Sequence, residues 1–393
     1  TLGLMPLVIW FFGQVSLASL VVNLIAIPVF ALVVVPLSLI AALAASFDTN
    51  LLGIFHVAGT VAEMAWRGLA WAASHEFAAF ELPRPDLAAL LLSVVAIGCL
   101  IPRHRLPGRW LAALGLLPLL LDRGPGLRPG YAEVTVLDVG HGLAVAIDTA
   151  THRVLYDAGP LFRSGFDAGA EIVVPAIGAL GRRPLDMLIL SHGDSDHAGG
   201  ARSIISRYPS VRLLASPDVD DFQTETCTAG QTWQFDGVRF SVLHPPAGWI
   251  FPGNDSSCVV LVESQAGSLL LTGDIEARAE ASLGGSDRLA ADVVVVPHHG
   301  SSTSSTEAFV RAVRPVAAIV SAAHNNRWNF PRPEVTRRWQ NSGAMVLTTA
   351  DHGAISVTFG PDGPVLDAMR HARRRYWQAP TPWLSGDFDA TAL

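Results

Sequence analysis

The hydrophobic positions of this chain follow two patterns, which change over near residue 122. Residues 15–45 carry no charged side chain, and this run exceeds the roughly 20 residues that span a bilayer. Pro28 and Pro36 interrupt it, which membrane bundles tolerate because neighbouring groups satisfy the freed backbone. The pattern therefore predicts an α-helical transmembrane segment; the large helical core of a soluble protein is the alternative.

Three shorter apolar stretches follow this segment. In residues 51–73, Glu63 and Arg67 lie four positions apart and therefore share one helix face. This stretch is predicted to be either a span with a polar seam or a helix that lies in the membrane interface. Residues 87–101 and 110–121 are shorter than a full span, so we expect a pair of short helices or one segment that enters the membrane partway.

A basic loop gives the orientation of these segments. Residues 102–109 ("PRHRLPGR") place three Arg between two apolar stretches, and the positive-inside rule puts such a loop in the cytoplasm. If residues 110–121 then cross, everything after them lies on the opposite side of the membrane. The chain begins at Thr1 with no charged region ahead of its apolar positions. We therefore expect no signal peptide, and a fragment whose upstream part is missing.

Beyond a Gly/Pro-rich linker at 122–130, short apolar strands separated by turns replace the long runs. Asp236-Gly237 and Ala266-Gly267 are predicted to be the turns of two hairpins. Helices are expected at 304–313 and 333–341, so the pattern predicts two sheets covered by helices. The predicted segments are a membrane domain at 1–121, the linker, an α/β domain at 131–370 and a loose tail at 371–393.

Composition agrees with this division. Of the 393 residues, 50% are hydrophobic and only 16% are charged, against an average near 25%, and the deficit of charge falls in residues 1–121. The net charge of -7 excludes a general electrostatic attraction to nucleic acid, so DNA binding would require a local basic patch.

The three cysteines do not form a metal-binding pattern. Cys99, Cys227 and Cys258 are far apart in the sequence, and we expect three reduced residues that pack as small hydrophobes. A Cys227–Cys258 disulfide in an oxidising compartment is the alternative.

Ionisable side chains crowd the ends of three apolar strands. The stretch 188–200 ("LILSHGDSDHAGG") runs from a buried strand into two His and two Asp, while "LLLTGD" and "VVVVPHH" end in further Asp and His. Such groups are costly to bury together unless a divalent cation binds them. The candidate ligands are His192, Asp194, Asp196, His197, Asp274 and His298.

We expect these three strands to end at the same edge of one sheet. Six or seven nitrogen and oxygen ligands exceed the need of one tetrahedral ion. They suit two ions roughly 3.5–4 Å apart, with Asp274 as the candidate bridge. The alternative is a polar turn in which Ser195 or Asp196 caps a helix.

The loop at 192–197 resembles the H-x-[HD]-x-D-H signature of the metallo-β-lactamase superfamily. Together with "DVGHGLAVAID", "LYDAGP", "NDSSCVVLV", "LLTGD", "PHHGS" and "HNNRWNFPRPEV", in this order, it is similar to the C-terminal domain of the ComEC family of DNA-internalisation competence proteins. Residues 1–121 resemble the end of that family's membrane domain. The resemblance implies a metallo-β-lactamase fold, an αββα sandwich, for residues 131–370.

The resemblance also implies a function. Members form a multi-pass DNA-uptake channel in the bacterial inner membrane, so the implied partners are DNA, the lipid bilayer and other competence proteins. The β-lactamase-like domain, on the periplasmic or extracellular side, would hydrolyse the strand that is not transported. The implied cofactor is one or two divalent ions, Mn²⁺ or Zn²⁺, with Mg²⁺ as a further option. The six candidate ligands match the family's motifs, and Asp196 or Asp274 would orient the attacking water.

The chain departs from the family pattern at three places. Asp194 stands where many superfamily members have His, which favours Mn²⁺ or Mg²⁺. Residues 253–257 fill the region of an expected third His, and Phe330 stands where His is common. These departures leave open a catalytically inactive domain that guides DNA. A membrane-anchored phosphoesterase unrelated to DNA is a further alternative.

Other polar side chains are candidates for supporting or substrate-binding roles. Asp138 and Asp157 end strands near the same edge and would either support the ligands or cap turns. His141 would either line the cleft or lie in a surface turn. Arg327 would contact a phosphate or belong to a plain polar loop. The remaining candidates are His299, Ser301 and Asn326.

Overall fold

The computed structural model divides the chain into two compact units. The N-terminal unit contains residues 1–124 with 178–182, and the β-rich unit contains residues 125–177 and 183–393. Residues 102–107 of the basic loop, residues 122–125 of the predicted linker and residues 373–393 of the predicted tail lie outside the described residues. The described residues are 2–16, 18–45, 52–73, 80–82, 85–100, 108–119, 126–181, 183–219, 222–248, 252–284, 289–361 and 363–372.

The N-terminal unit is built from helices and one small two-stranded sheet. Its helices are α1 (Met5–Phe12), α2 (Ala18–Val29), α3 (Val35–Ala45), α4 (Leu52–Ala73) and α5 (Leu87–Leu100), with short 3-10 helices at Leu2–Leu4 and Arg109–Leu119. The sheet pairs β1 (Gln14–Val15) with β2 (Phe80–Glu81). Glu63 and Arg67 share one face of α4, as the sequence predicts, and form an exposed ion pair there, 2.7 Å between Oε1 and Nη2.

A continuous apolar helix follows the first turns of this unit. A π-helical segment, Phe30–Val34, joins α2 to α3 just after Pro28, where the missing backbone donor disrupts the regular hydrogen-bond pattern. Within the described residues, Val21–Leu43 is the one helical stretch long and apolar enough to cross a membrane. Large apolar side chains such as Leu24 and Leu32 are about three-quarters exposed, at 76% and 75%.

The first sheet of the β-rich unit has eight strands in the order β17-β16-β3-β4-β5-β6-β7-β8. Pairing is antiparallel from β17 to β5 and parallel from β5 to β8. The strands are β3 (Ala132–Val136), β4 (Val145–Asp148), β5 (Arg153–Tyr156), β6 (Leu185–Leu190), β7 (Arg212–Ala215), β8 (Glu225–Thr226), β16 (Ile355–Gly360) and β17 (Gly363–Ala368).

The second sheet has seven strands in the order β15-β14-β13-β12-β11-β10-β9. Strands β9 to β12 pair in antiparallel fashion and contain two hairpins, and strands β12 to β15 are parallel. The strands are β9 (Thr232–Phe235), β10 (Val238–His244), β11 (Val259–Ser264), β12 (Gly267–Leu271), β13 (Val293–Val295), β14 (Ala317–Val320) and β15 (Met345–Thr348).

The core lies between the two sheets, and helices cover their outer faces. Alternate residues of both sheets, such as Val134, Tyr156 and Phe240, form one buried apolar cluster. A second cluster packs Phe309 and Trp339 against the outer face of the second sheet. This is the predicted αββα arrangement. The helices are α6 (Val174–Ala179), α7 (Ser195–Ala198), α8 (Ala201–Arg207), α9 (Ala277–Leu283), α10 (Glu307–Val313), α11 (Pro333–Asn341), α12 (Thr349–His352) and α13 (Met369–Ala372).

Two expectations from the sequence are wrong. The three ligand-bearing strands do not share a sheet, because β6 belongs to the first sheet while β12 and β13 belong to the second. Cys227 and Cys258 are not free: they form a disulfide, since their Cα atoms lie 6.0 Å apart where the end of β8 approaches the start of β11. Cys99 is free.

Candidate metal centre

Two loops that follow neighbouring parallel strands hold His197. Asp157, directly after β5, has a φ of 62°, and its carboxylate accepts hydrogen bonds from the backbone N and the Oγ of Ser191. The same carboxylate accepts a bond from Nδ1 of His197, at 2.7 Å. Because Nδ1 donates, the lone pair of His197 Nε2 is free to bind a cation on the other side of the ring.

His299 is held in the same manner from the second sheet. Its Nδ1 donates to the backbone carbonyl of Ser321, just after β14, at 2.7 Å. Its Nε2 lies 3.1 Å from the Nε2 of His197. Two imidazole lone pairs at this distance repel each other unless a proton or a cation lies between them. Both rings are buried, and the short distance between their Nε2 atoms shows that the two rings point at a common position.

Two carboxylates complete the group. Asp274 Oδ1 lies 3.1 Å from Nε2 of His197, and Asp274 Oδ2 lies 3.5 Å from Nε2 of His299. Asp196 Oδ2 is also 3.5 Å from Nε2 of His299. One ligand atom of each of these four residues lies within 4.8 Å of the others. We call Asp196, His197, Asp274 and His299 the candidate metal centre.

The charges of the centre attract a cation. Burial raises the pKa of Asp274, but the neighbouring His197 and His299 lower it more, so the pKa lies well below its usual value. For His197 the effects have the opposite sign. Burial lowers its pKa, but the carboxylates of Asp274 and Asp157 raise it more, so the pKa lies well above the usual value. The carboxylates thus stabilise positive charge at the position the two rings share, as a proton or as a metal ion.

The donor set fits a divalent ion. Two imidazoles and two carboxylates supply nitrogen and oxygen ligands and a charge of about -2, which Mn²⁺ and Zn²⁺ accept and Mg²⁺ accepts less readily through imidazole. The hydrogen bonds that orient such imidazole ligands are present too, from His197 to Asp157 and from His299 to the Ser321 carbonyl.

His192 and Asp194 lie beside the centre. His192 is fully buried, its ring centroid is 4.3 Å from that of His197, and its Nε2 has no hydrogen-bond partner among the described residues. Asp194 Oδ2 lies 3.7 Å from that Nε2, but its side chain is 63% exposed. On the other side of the ring, Nδ1 of His192 lies 3.0 Å from Oγ of Ser191 and 3.4 Å from Oγ of Ser257, so Nε2 and the exposed Asp194 carboxylate are the groups here that could hold a second ion.

His298 was the expected ligand and His299 a supporting candidate, but the structure places His299 in the group of four. His298 Nε2 is 3.9 Å from Asp274 Oδ2, whereas its Nδ1 lies 3.2 Å from Oε1 of Glu276 and 3.2 Å from Oγ1 of Thr303. Both histidines have left-handed backbone conformations, with φ of 51° and 53°, which direct the two rings apart. His298 therefore lies at the rim, outside the group of four.

Most of the other candidates have structural partners. Asp138 pairs with Arg370, 2.9 Å from Oδ2 to Nη2. The Asn326 side chain donates to the carbonyls of Ala323 and Phe330 and accepts from the Phe330 backbone N. Ser301 Oγ bonds to Thr303 Oγ1, at 3.0 Å. Arg327 is exposed.

His141 is buried beside the candidate metal centre. Its neighbour Gly142 packs so closely on the loop 191–198 that a Cβ there would collide with the carbonyl oxygen of Asp196. His141 Nε2 lies 3.9 Å from Asp196 Oδ2. Burial, with the charge of His299, lowers the pKa of His141 to about 4.

The sequence alone did not single out Ser191, Ser321 or Trp328. Ser191 directly precedes His192 and its position at a strand end was a usable signal. The role of Ser321 is carried by a backbone carbonyl, which any residue possesses, so no signal exists there.

Comparison with known proteins decides the family. Residues 1–106 match the family model described as "Competence protein", and residues 137–324 match the "Metallo-beta-lactamase superfamily". The chain therefore joins a competence-protein segment to a metallo-β-lactamase domain. This confirms the resemblance to competence proteins and the fold expected for the β-rich unit.

Three known proteins show what this chain is similar to. The chain is 34% identical over 374 residues to the competence protein ComA of Neisseria gonorrhoeae, covering 94% of this chain and 52% of ComA. It is 32% identical over 387 residues to the uncharacterized protein YcaI of Escherichia coli, covering 96% of this chain and 50% of YcaI. It thus spans about half the length of these curated relatives. The metallo-β-lactamase-fold protein YhfI of Bacillus subtilis covers 58% of this chain and 99% of YhfI, with 12% identity and a TM-score of 0.39.

Proposed function

We propose that this chain is part of a DNA-uptake channel for natural transformation, and that its β-rich unit is a metal-dependent phosphodiesterase acting on the strand that is not transported. The observation that carries the proposal is the convergence of Asp196, His197, Asp274 and His299. The competence-protein segment on the same chain supports DNA as the substrate. It argues against a phosphoesterase unrelated to DNA.

The residues of the centre divide the work of hydrolysis. A divalent cation bound there would supply Lewis-acid stabilisation of the phosphate and lower the pKa of the attacking water. Asp157 keeps a proton on Nδ1 of His197, and the Ser321 carbonyl does the same for His299, so both Nε2 atoms stay available as ligands. Asp196, the more exposed of the two carboxylates, would orient the water. Asp274 would bind the cation between His197, which follows the first sheet, and His299, which follows the second.

The proposed location is the bacterial inner membrane, with the β-rich unit on the periplasmic or extracellular side. The Cys227–Cys258 disulfide supports that side, because disulfides persist in oxidising compartments. The helix Val21–Leu43 supports membrane insertion, and several passes together with contacts to other competence proteins belong to the same proposal.

The test is DNA cleavage by the full chain in detergent. We expect Mn²⁺-dependent cleavage that ethylenediaminetetraacetate abolishes and that His197→Ala reduces by about 100-fold or more, because the variant removes a ligand. His152→Ala is the matched control, since His152 precedes the same strand β5 that Asp157 follows and pairs with Asp236 far from the centre. It should leave the rate unchanged.

Two results would contradict the proposal. Cleavage that survives His197→Ala would come from another site or a contaminant. DNA binding without cleavage under Mn²⁺, Zn²⁺ or Mg²⁺ would favour the inactive, DNA-guiding domain, which the exposure of the Asp194 carboxylate beside His192 also favours.

A further inference from the structure

Three planar groups stack beside the candidate metal centre. The rings of His141 and Trp328 are nearly parallel, with centroids 4.0 Å apart and 16° between their planes. The guanidinium of Arg327 lies 4.0 Å from the centroid of the Trp328 ring. Since two groups cannot occupy one volume, His141 and Arg327 cover opposite faces of Trp328. We call these three residues the stacking column.

The column leads from the centre to solvent. At its inner end, the His141 ring centroid is 4.6 Å from that of His299, and the imidazole is buried with no hydrogen-bond partner for Nδ1 among the described residues. At its outer end, Trp328 is 38% exposed and Arg327 is exposed. A planar ligand added to the column would therefore stack on the outer face of the Arg327 guanidinium, at the solvent end of the column.

The loop that carries the column is fixed in place. Three hydrogen bonds of the Asn326 side chain tie its beginning to Ala323 and Phe330. The Phe330 ring is roughly parallel to that of Trp328, at 20° and 6.4 Å, and the guanidinium of Arg332 lies 5.6 Å from the Phe330 ring. Two Arg and two aromatic side chains thus form a local cationic and aromatic surface on a chain whose net charge is negative.

We propose that the stacking column is a subsite for a base of single-stranded DNA whose backbone reaches the candidate metal centre. This rests on the proposed hydrolase function and names its substrate. Bases stack on aromatic rings and on the guanidinium plane of Arg whatever their sequence, provided that one face is free. In a duplex both faces are covered by neighbouring pairs, so the column selects a single strand.

The test measures binding by the full chain with metal removed, using fluorescence anisotropy. The probes are a short single-stranded oligonucleotide, its duplex, and the same strand with abasic residues, which keeps the phosphates and removes the bases. We expect the wild type to prefer the normal strand over the abasic strand by about tenfold. Trp328→Ala should remove this preference while leaving the affinity for the abasic strand unchanged, and Trp328→Phe should keep most of it.

Arg327→Lys tests the outer layer, because Lys keeps the charge but lacks the plane. We expect it to reduce the preference for the normal strand. Arg207→Lys is the matched control, since Arg207 lies over the Tyr208 ring at the end of α8, 5.2 Å from its centroid, and the variant should change nothing.

A wild-type protein that binds normal and abasic strands equally would overturn the proposal, as would a preference that survives Trp328→Ala. The two proposals fail separately. Base-dependent binding without cleavage under any metal would end the hydrolase function and leave the subsite. Mn²⁺-dependent cleavage with no difference between normal and abasic strands would end the subsite and leave the hydrolase.

Discussion

At the scale of single residues, Asp157 controls the centre without belonging to it. Its two oxygens accept three hydrogen bonds, from the Ser191 backbone, the Ser191 hydroxyl and Nδ1 of His197. All three partners are donors, and the site is fully buried. A residue with its own donor at this position would face them directly.

Asp157→Asn should therefore weaken metal binding. The carboxamide NH₂ opposes either the Ser191 backbone N–H or the Nδ1–H of His197, so either the contact to His197 or the position of the side chain that makes it is lost. We expect a 10- to 100-fold lower Mn²⁺ affinity by isothermal titration calorimetry. Asp138→Asn is the control. Asp138 follows β3, another strand of the same sheet, but its carboxylate pairs with Arg370. Equal losses in both variants would show that the effect is not specific to His197.

The sequence identifies the ligand types but not each ligand. Asp196, His197 and Asp274 follow strands that are evident from their apolar residues, so their approach could be predicted. His298 and His299 are adjacent, and which one enters the group depends on two left-handed backbone conformations that no periodicity reveals. Trp328 could not be predicted for a similar reason, because its position against His141 depends on a loop that the Asn326 side chain holds by hydrogen bonds.

At the scale of elements, local signals predicted best. Helix α11 has the predicted bounds, Pro333–Asn341, because Pro at its first position and a period of buried residues define it. The Asp236-Gly237 turn joins β9 and β10 as predicted. Strands β7 and β17 were not predicted, because β7 has only four residues and β17, at the edge of its sheet, mixes polar and apolar residues. The assignment of strands to two sheets depends on tertiary pairing, which the pattern does not encode.

The disulfide is a prediction at this scale, because it ties β8 of the first sheet to β11 of the second. Closing a loop of 31 residues in the unfolded chain gives about 3–4 kcal/mol of stability in the chain-entropy view. Replacing both Cys227 and Cys258 by Ser should lower the free energy of unfolding by about that amount, measured by urea unfolding of the full chain in detergent. Cys99→Ser, at the exposed free cysteine, should have no effect.

Thiol counting provides the decisive check on this linkage. Alkylation of the denatured, unreduced wild type should modify one cysteine. Modification of all three would refute the disulfide and return Cys227 and Cys258 to the state first expected from the sequence.

At the scale of the whole molecule, the centre takes two ligands from each sheet. Asp196 and His197 follow β6, while Asp274 and His299 follow β12 and β13. A bound ion would thus hold the two layers of the β-rich unit together. The N-terminal unit contributes none of the four ligands.

Metal should therefore stabilise one unit only. At a Mn²⁺ concentration 100 times its dissociation constant, binding adds about 2.7 kcal/mol, which corresponds to roughly 5–10 °C for a domain of this size. Differential scanning calorimetry of the full chain should show this rise in the transition of the β-rich unit alone. A rise that persists in His197→Ala would indicate that Mn²⁺ binds elsewhere.

The pairing of β3 with β16 has a consequence for biogenesis. Strand β3 lies in the sheet between β4 and β16, with Val134 opposite Val357, and Thr135 stands 221 positions before its partner Ser356. Until β16 emerges, the backbone of β3 keeps one open edge, and such edges recruit other chains. This sheet closes only after β16 has been synthesised, when every residue of the candidate metal centre has already been made, so we expect the β-rich unit to fold late and slowly.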